Sequence, residues 1–304
     1  MKYIKSIEGK NSSAVALGCM RIGDMSDYEM DRYLATAFEC GYNYFDHADI
    51  YHNGRCEEVF AKARKRNKVD RDKIIIQTKC GIREGMYDFS YEHIINSVDK
   101  SLKRLDTDYV DVLLLHRPDL LMDPEEVARA FDELEHSQKV RAFGVSNHSA
   151  AQIKLLNKYL NQRICINQLQ LSITDCGMIS SGAGVNTTFD EGINRDGYIR
   201  DYCRLHDITV QPWSPLQYGF FSGTFLDKVR FPDLCAVIDE IAEKYNVSDT
   251  GVAIAWLLRL PEKMQPVIGS TNIDRIKEIA RATHVEMSRE DWYKIYRAAG
   301  HILP

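Results

Sequence analysis

The segment Asn43 to Gly54, NYFDHADIYHNG, gathers Asp46, His47, Asp49, Tyr51 and His52 within seven positions. Two carboxylates and two imidazoles at that density could ligate a divalent metal. The same letters could instead hold one tyrosine in a proton relay. Neighbouring side chains on a strand leave opposite faces, so Asp46 and His47 would not converge on one ion. No second histidine cluster completes a metal set, and His93 falls inside a helical pattern. A relay is therefore the expected chemistry, with no metal. Tyrosine ionises near ~10, too high for an efficient acid at neutral pH. A nearby ammonium would favour the phenolate and tune Tyr51 downward, and Lys79 could supply it. A buried ammonium in turn needs a carboxylate, and Asp46 is available. His116, as a neutral imidazole, would orient a carbonyl oxygen. Taken singly, Asp46 could cap a turn, Tyr51 could be one core tyrosine among 16, and His116 a satisfied core histidine. Their combination argues for catalysis.

These side chains need a scaffold that brings distant segments to one place. Short apolar runs alternate with amphipathic patterns along the chain. Strands are expected at 15–19, 43–46, 73–79, 109–116, 140–146, 164–170, 208–213 and 266–270. Helices are expected near 28–40, 55–67, 123–137, 149–159 and 273–283, with a helical region over about 233–260. Another carries Ile94, Ile95, Val98, Leu102 and Leu105 on one face. Asp123 offers an N-cap to its helix, with Pro124 at N1 and Glu126 at N3. Eight strand–helix units with nearly continuous apolar strands predict an α/β fold, a (β/α)8 TIM barrel, as a single domain over 1–304. No GxGxxG follows the first strand, which argues against a doubly wound dinucleotide fold. The Gly-, Ser- and Asn-rich stretch 171–197 has little periodicity and is expected as a long loop on the active-site face.

On that scaffold the polar residues fall at strand ends. Asp46, Lys79, His116, Ser146, Asn147, Trp213 and Ser214 each end an apolar run, and Gln168 lies late in another. In such a barrel the C-terminal ends of the strands surround the site.

The bulk composition narrows the function classes. A formal charge of −5 over 304 residues argues against a nucleic-acid or polybasic membrane role. The basic run 64–68 is short and reads as a solvated helix end. The eight cysteines form no CxxC pair, which fits free thiols in a reducing compartment. The first residues carry no apolar leader core, and no run reaches membrane-spanning length. A cytoplasmic protein is expected.

Over nearly its whole length the sequence resembles the aldo-keto reductase family. GYNYFDHADIY is similar to the family segment with the catalytic aspartate and tyrosine, here Asp46 and Tyr51. QTKCGI matches the lysine segment at Lys79, and LLLHRPD the histidine segment at His116. FGVSN and NQLQ resemble the nicotinamide-amide contacts, here Ser146, Asn147 and Gln168. QPWSPLQYG resembles the loop whose aromatic residue stacks on the nicotinamide. That residue would be Trp213, with Ser214, Pro215 and Leu216 along the pyrophosphate. PVIGSTNIDRI is similar to the segment that holds an adenosine 2′-phosphate, here through Ser270, Thr271 and Arg275. Met20 and Arg21 would also face the cofactor, although Arg21 reads equally as a surface arginine. The segment 194–221 resembles a bacterial subgroup of general oxidoreductases. Two departures stand out. His47 replaces a frequent threonine, and Gly269 replaces a frequent lysine of the phosphate pocket.

The resemblance implies an NADP(H)-dependent reductase of small aldehydes or ketones, with Tyr51 as general acid. His52 would stand at the pocket mouth toward substrate, and His47 would pack structurally. The alternative is a cofactor-sensing barrel that serves a partner, with weak catalysis. Substrate identity and oligomeric state are not expected from the sequence. Loop 171–197 and the tail WYKIYRAAGHILP would shape the substrate pocket.

Overall fold

The structure, a computed structural model, describes residues 1–7 and 9–304. Its strands in chain order are β1 (Tyr3–Ile7), β2 (Lys10–Ser13), β3 (Ala16–Gly18), β4 (Tyr44–Asp46), β5 (Ile75–Cys80), β6 (Ile82–Arg83), β7 (Met86–Tyr87), β8 (Val110–Leu115), β9 (Val140–Ser146), β10 (Ile164–Gln170), β11 (Thr209–Trp213) and β12 (Val267–Ile268). The helices are α1 (Asp27–Glu39), α2 (Arg55–Arg66), α3 (Tyr91–Leu105), α4 (Pro124–His136), α5 (Ala150–Tyr159), α6 (Gly177–Ala183), α7 (Ile199–Leu205), α8 (Pro232–Tyr245), α9 (Asp249–Leu258), α10 (Ile273–Ala282) and α11 (Arg289–Ala298).

Eight parallel strands close into a barrel in the order β3-β4-β5-β8-β9-β10-β11-β12. Each strand turns alternate side chains to two different apolar layers, which is why the runs read as continuously hydrophobic. Leu17, Phe45, Ile76, Leu113 and Leu115 face the helices. Ala16, Tyr44, Ile75, Val112, Leu114 and Ile166 face the barrel axis. On β9 one inward position is Gly144, where a Cβ would lie 2.5 Å from Leu114 Cδ2 and 2.7 Å from the Ile166 carbonyl oxygen. The barrel is filled from both sides of that point, so nothing larger than hydrogen fits.

Side-chain caps start several of the helices. Ser26 and Glu29 form a capping box on α1, as do Ser149 and Gln152 on α5. The Asp123 carboxylate accepts from Glu125 N at 2.9 Å at the start of α4. The expected helical region at 233–260 consists of two helices, α8 and α9. Asn246 breaks it in the left-handed region, and Ser248 caps the second piece. In the basic run 64–68, Lys65 pairs with Asp106 and Arg66 with Asp31, as fits a surface helix end.

Several elements were not foreseen. The hairpin β1–β2 covers the N-terminal mouth, with Ile7 in the interior layer. The segment 171–197 contains the seven-residue helix α6, with Ile179, Ser180 and Ser181 buried, so it is not loop throughout. Residues 292–298 of the C-terminal tail belong to α11, and beyond it His301 Nε2 lies 2.7 Å from the Ile173 carbonyl oxygen. Trp292 stacks on Trp256 of α9 at 4.7 Å and 5°. No helix among the described residues is long and apolar enough to cross a membrane.

Candidate active site

The site is built by register. β4 and β5 pair with Asp46 opposite Gln77, and Lys79 lies two residues further on the same inward face. Lys79 is fully buried. Its Nζ donates to Asp46 Oδ1 at 2.7 Å and Oδ2 at 2.8 Å, to the His47 carbonyl at 2.8 Å, and to Tyr51 Oη at 3.1 Å. An ammonium has three N–H groups, and three partners take them all.

Tyr51 opens a short 3-10 turn, Tyr51–Gly54. Asp49 N bonds the Lys79 carbonyl at 3.0 Å and ties this loop to β5, while Tyr51 N bonds the Ala48 carbonyl at 3.1 Å within the loop. His52 (φ 50), Asn53 (φ 53) and Gly54 (φ 86) then take left-handed backbone in succession and turn the chain into α2. For the two non-glycines this costs about 1–2 kcal/mol each, so the loop is held by its surroundings. His116 follows β8, with its N bonded to the Cys80 carbonyl at 2.9 Å. Its ring meets Tyr51 edge-on, centroids 6.0 Å apart at 82°. The four residues named from three strand ends do meet at one mouth.

The electrostatics correct one expectation. Burial is the largest influence on the Tyr51 phenol and pushes it up; Lys79 pulls it back, and the net direction is up rather than down. Burial by itself would drive the Lys79 ammonium down, but Asp46 and Tyr51 outweigh it and Lys79 is held above its ordinary value. Burial, with the positive charges of Lys79 and Arg117, holds the His116 imidazole well below its ordinary range. At neutral pH the mouth therefore presents a neutral tyrosine, a charged lysine and a neutral histidine.

His47 points away from this group. It is fully buried, edge-on to Phe60 at 4.7 Å, and burial and then Lys79 push its imidazole down to about 3. The expected split of Asp46 and His47 to opposite faces is what the backbone produces. Among the described residues no group of three or more His, Cys, Asp or Glu side chains gathers as a metal site. The His52 ring packs over Gly23, on the loop after β3, with Nε2 3.6 Å from Asp24 Oδ1.

Beside the tetrad lies a second connected group. Ser146 Oγ donates to the Gln168 carbonyl at 2.9 Å, and Asn147 Nδ2 donates to Ser146 Oγ at 2.8 Å. Trp213 Nε1 donates to Asn147 Oδ1 at 3.0 Å. Asn147 takes left-handed backbone (φ 61), which turns its amide toward the tryptophan. The indole is thus fixed at the mouth, partly buried. Phe220 and Phe221 pack on it, and the Arg117 guanidinium lies 5.6 Å from its centroid. Ser214 (φ 51) and the Gln217 N bond to its carbonyl fold the segment with Pro215 and Leu216 back over the mouth. Met20 and Arg21 are exposed on the loop after β3.

Ser270 and Thr271 precede α10, which Asn272 caps. Ser270 Oγ accepts from Asn272 N at 3.2 Å and keeps its own proton. Arg275 is exposed and has no ion pair among the described residues. A Cβ at Gly269 would meet nothing within 4 Å. An anchored flat ring with amide and hydroxyl groups, and at a second point a hydroxyl and an unpaired guanidinium at a helix start, are the donor types a nicotinamide dinucleotide requires.

Sequence reasoning missed a set of interior glutamines. Gln77, Gln211 and Gln265 are each fully buried, and each interrupts an otherwise apolar run: IIIQTK, ITVQPW and KMQPV. That lone amide in each run was the available signal.

With this geometry in view, comparison with known proteins places the fold in a family. The Aldo/keto reductase family profile matches residues 14–299, and the chain belongs to that family of nicotinamide-dependent oxidoreductases. It is 36% identical over 303 residues to the "6-dehydroglucose reductase" of Agrobacterium fabrum, covering 94% of each chain. It is 36% identical over 312 residues to "Oxidoreductase YdhF" of Escherichia coli, covering 98% of this chain and 97% of that one. Among solved structures it resembles the thermostable aldo-keto reductase Tm1743, crystallised with the inhibitor epalrestat. The TM-score is 0.79 at 25% identity, over 98% of this chain and 100% of that one.

Proposed function

We propose that this chain reduces aldehyde or ketone carbonyls to alcohols with NADPH, using Tyr51 as the general acid. One observation carries the reading. Lys79 commits its three N–H groups to Asp46, the His47 carbonyl and Tyr51 Oη. Tyr51 Oη therefore accepts from Lys79, and its own proton is the one left for a substrate oxygen at the mouth.

NADPH, when bound, supplies the hydride that reaches the carbonyl carbon. Tyr51 gives its proton to the oxygen as the C–O double bond opens. The phenolate so formed lies against the Lys79 ammonium and regains a proton from solvent. His116, kept neutral, orients the carbonyl oxygen through a ring N–H. Trp213, Asn147 and Ser146 hold the nicotinamide end. Gln168 uses both hydrogens of Nε2 on Asp46 (3.0 Å) and Gln211 (3.1 Å), so its oxygen is the atom left to accept from a carboxamide. Ser214, Pro215 and Leu216 would line the diphosphate, Met20 and Arg21 would face the cofactor, and Ser270, Thr271 and Arg275 would take the 2′-phosphate.

The Agrobacterium relative carries a name for a sugar-derived aldehyde, so such aldehydes lead the substrate panel. Residues 1–304 act as one functional unit in this chemistry. A cytoplasmic setting is supported by eight cysteines that are all free thiols. Calorimetric titration with NADPH and NADH tests the cofactor pocket, and Tyr51→Phe tests the mechanism. The variant is expected to bind NADPH like wild type and lose about 10²- to 10⁴-fold in turnover. Undiminished turnover would remove Tyr51 from the reaction.

A further inference from the structure

The interior of this barrel carries a continuous hydrogen-bonded chain of amides that ends on Asp46. Gln265 Nε2 donates to the Ser13 carbonyl at 2.8 Å, on the hairpin that covers the N-terminal mouth. Gln211 Nε2 donates to Gln265 Oε1 at 2.9 Å. Gln211 Oε1 accepts from Gln77 Nε2 at 2.9 Å and from Gln168 Nε2 at 3.1 Å. Both of those nitrogens then donate their second hydrogen to Asp46 Oδ1, at 2.5 Å and 3.0 Å. Tyr44 Oη donates to Gln77 Oε1 at 2.7 Å.

The direction of the chain is determined at its ends. A peptide carbonyl can only accept, so Gln265 must turn its nitrogen to Ser13 and its oxygen to Gln211. That choice propagates link by link, and no amide can be reversed without facing oxygen to oxygen. At the far end every group that reaches Asp46 is a donor: Gln77, Gln168 and Lys79. A proton on that carboxyl would find no acceptor. The other titratable groups around it are Tyr44, Cys19, Tyr51 and Lys79. Burial pushes the Tyr44 phenol and the Cys19 thiol up, so both are neutral at working pH.

We propose that Gln77 and Gln211 are positioning residues for carbonyl reduction: the amide chain they complete holds Asp46 as an acceptor-only carboxylate and thereby keeps Lys79 aimed at Tyr51. Hydrogen bonds donated to a carboxylate favour its ionised form. The chain supplies two of them at a place water does not reach, and it anchors them to the opposite end of the barrel. A barrel interior of aliphatic layers could pack this volume equally well. Four glutamines in its place are accounted for by the carboxylate they serve.

This inference rests on the catalytic reading of Tyr51, so Tyr51→Phe runs alongside. Gln77→Met and Gln211→Met remove the donors at similar volume. For each purified protein, NADPH affinity is measured by fluorescence titration, and kcat and KM for 4-nitrobenzaldehyde are measured at neutral pH. Gln77→Met is expected to bind NADPH within about twofold of wild type. Losing one charge-assisted hydrogen bond to the group that aims Lys79 is expected to lower kcat by about tenfold to a hundredfold. KM should change little. Gln211→Met should lower kcat in the same way by a smaller amount, because it acts through Gln77 and Gln168. It also serves if Gln77→Met does not fold. A folded variant that loses thermal stability but keeps the wild-type kcat would overturn the proposal and leave the amides as packing. If Tyr51→Phe retains turnover, the catalytic reading beneath it has failed instead.

Discussion

Replacing Lys79 by methionine removes an ammonium that is fully buried and makes contact with both oxygens of Asp46, at 2.7 and 2.8 Å. The methionine fills similar space, so the loss is chiefly electrostatic. Asp46 keeps the Gln77 and Gln168 donors but has no counter-charge. Breaking a buried pair from one side costs roughly 3–5 kcal/mol. For 304 residues the unfolding entropy is about 0.6 kcal/mol/K. The melting temperature should therefore fall by roughly 5–8 °C. Adding Asp46→Asn removes the stranded charge, and the Asn oxygen can still accept from Gln77. The double variant should regain roughly half of the lost stability while turnover stays low, because no ammonium faces the Tyr51 phenolate. Scanning calorimetry on wild type, both single variants and the double variant closes the cycle, with kcat measured on the same samples. A Lys79→Met protein destabilised by less than about 1 kcal/mol, or a double variant no more stable than the single, would refute the account of a desolvated, mutually dependent pair.

Other outcomes follow from the same geometry. Gly269 has open space around its Cβ position, so Gly269→Lys should fold normally. It should tighten NADPH by about threefold to tenfold with NADH unchanged; equal tightening of both would place residue 269 away from the 2′-phosphate. Burial pushes His47 down to about 3 and His148 to about 4, and holds His116 well below its ordinary range. In the unfolded chain these imidazoles charge near ~6.5. The unfolded state then binds more protons, and stability should fall as pH drops from about 6.5 through about 4. His47→Leu should flatten that slope in urea titrations at stepped pH. Asp49 behaves oppositely. Burial and the nearby Glu57 raise its carboxyl from 3.8 to about 7, so its contribution is present below about 3.8 and lost as pH rises to about 7. Asp49→Asn should therefore gain on wild type in melting temperature as pH goes from 5 to 8.

The sequence alone determined the barrel and the meeting of Asp46, Tyr51, Lys79 and His116. Strand and helix periodicities are local. The strand Val140–Ser146 was read with the bounds the structure gives it, because its buried residues from Phe143 onward follow the exposed Arg141 and half-buried Ala142 and end at the polar Ser146. Strand ends in such a fold face one mouth, so polar residues closing successive runs had to converge. The hairpin β1–β2, helix α6 and helix α11 escaped because their short or mixed patterns gain stability from surfaces that exist only after the barrel closes. Trp292 stacking on Trp256 is one such contact.

Tertiary structure decided the electrostatics. The spacing of Tyr51 and Lys79 suggested a phenol tuned downward. Desolvation exceeds the pull of the ammonium, and desolvation depends on every atom packed around the ring. The amide chain is the clearest case. Gln77 and Gln211 lie 134 residues apart and touch only because eight strands close in one register. A pattern within one strand shows which residues turn inward; only closure of the barrel determines which inward residues meet, because each strand contributes one side of a space that no strand encloses by itself.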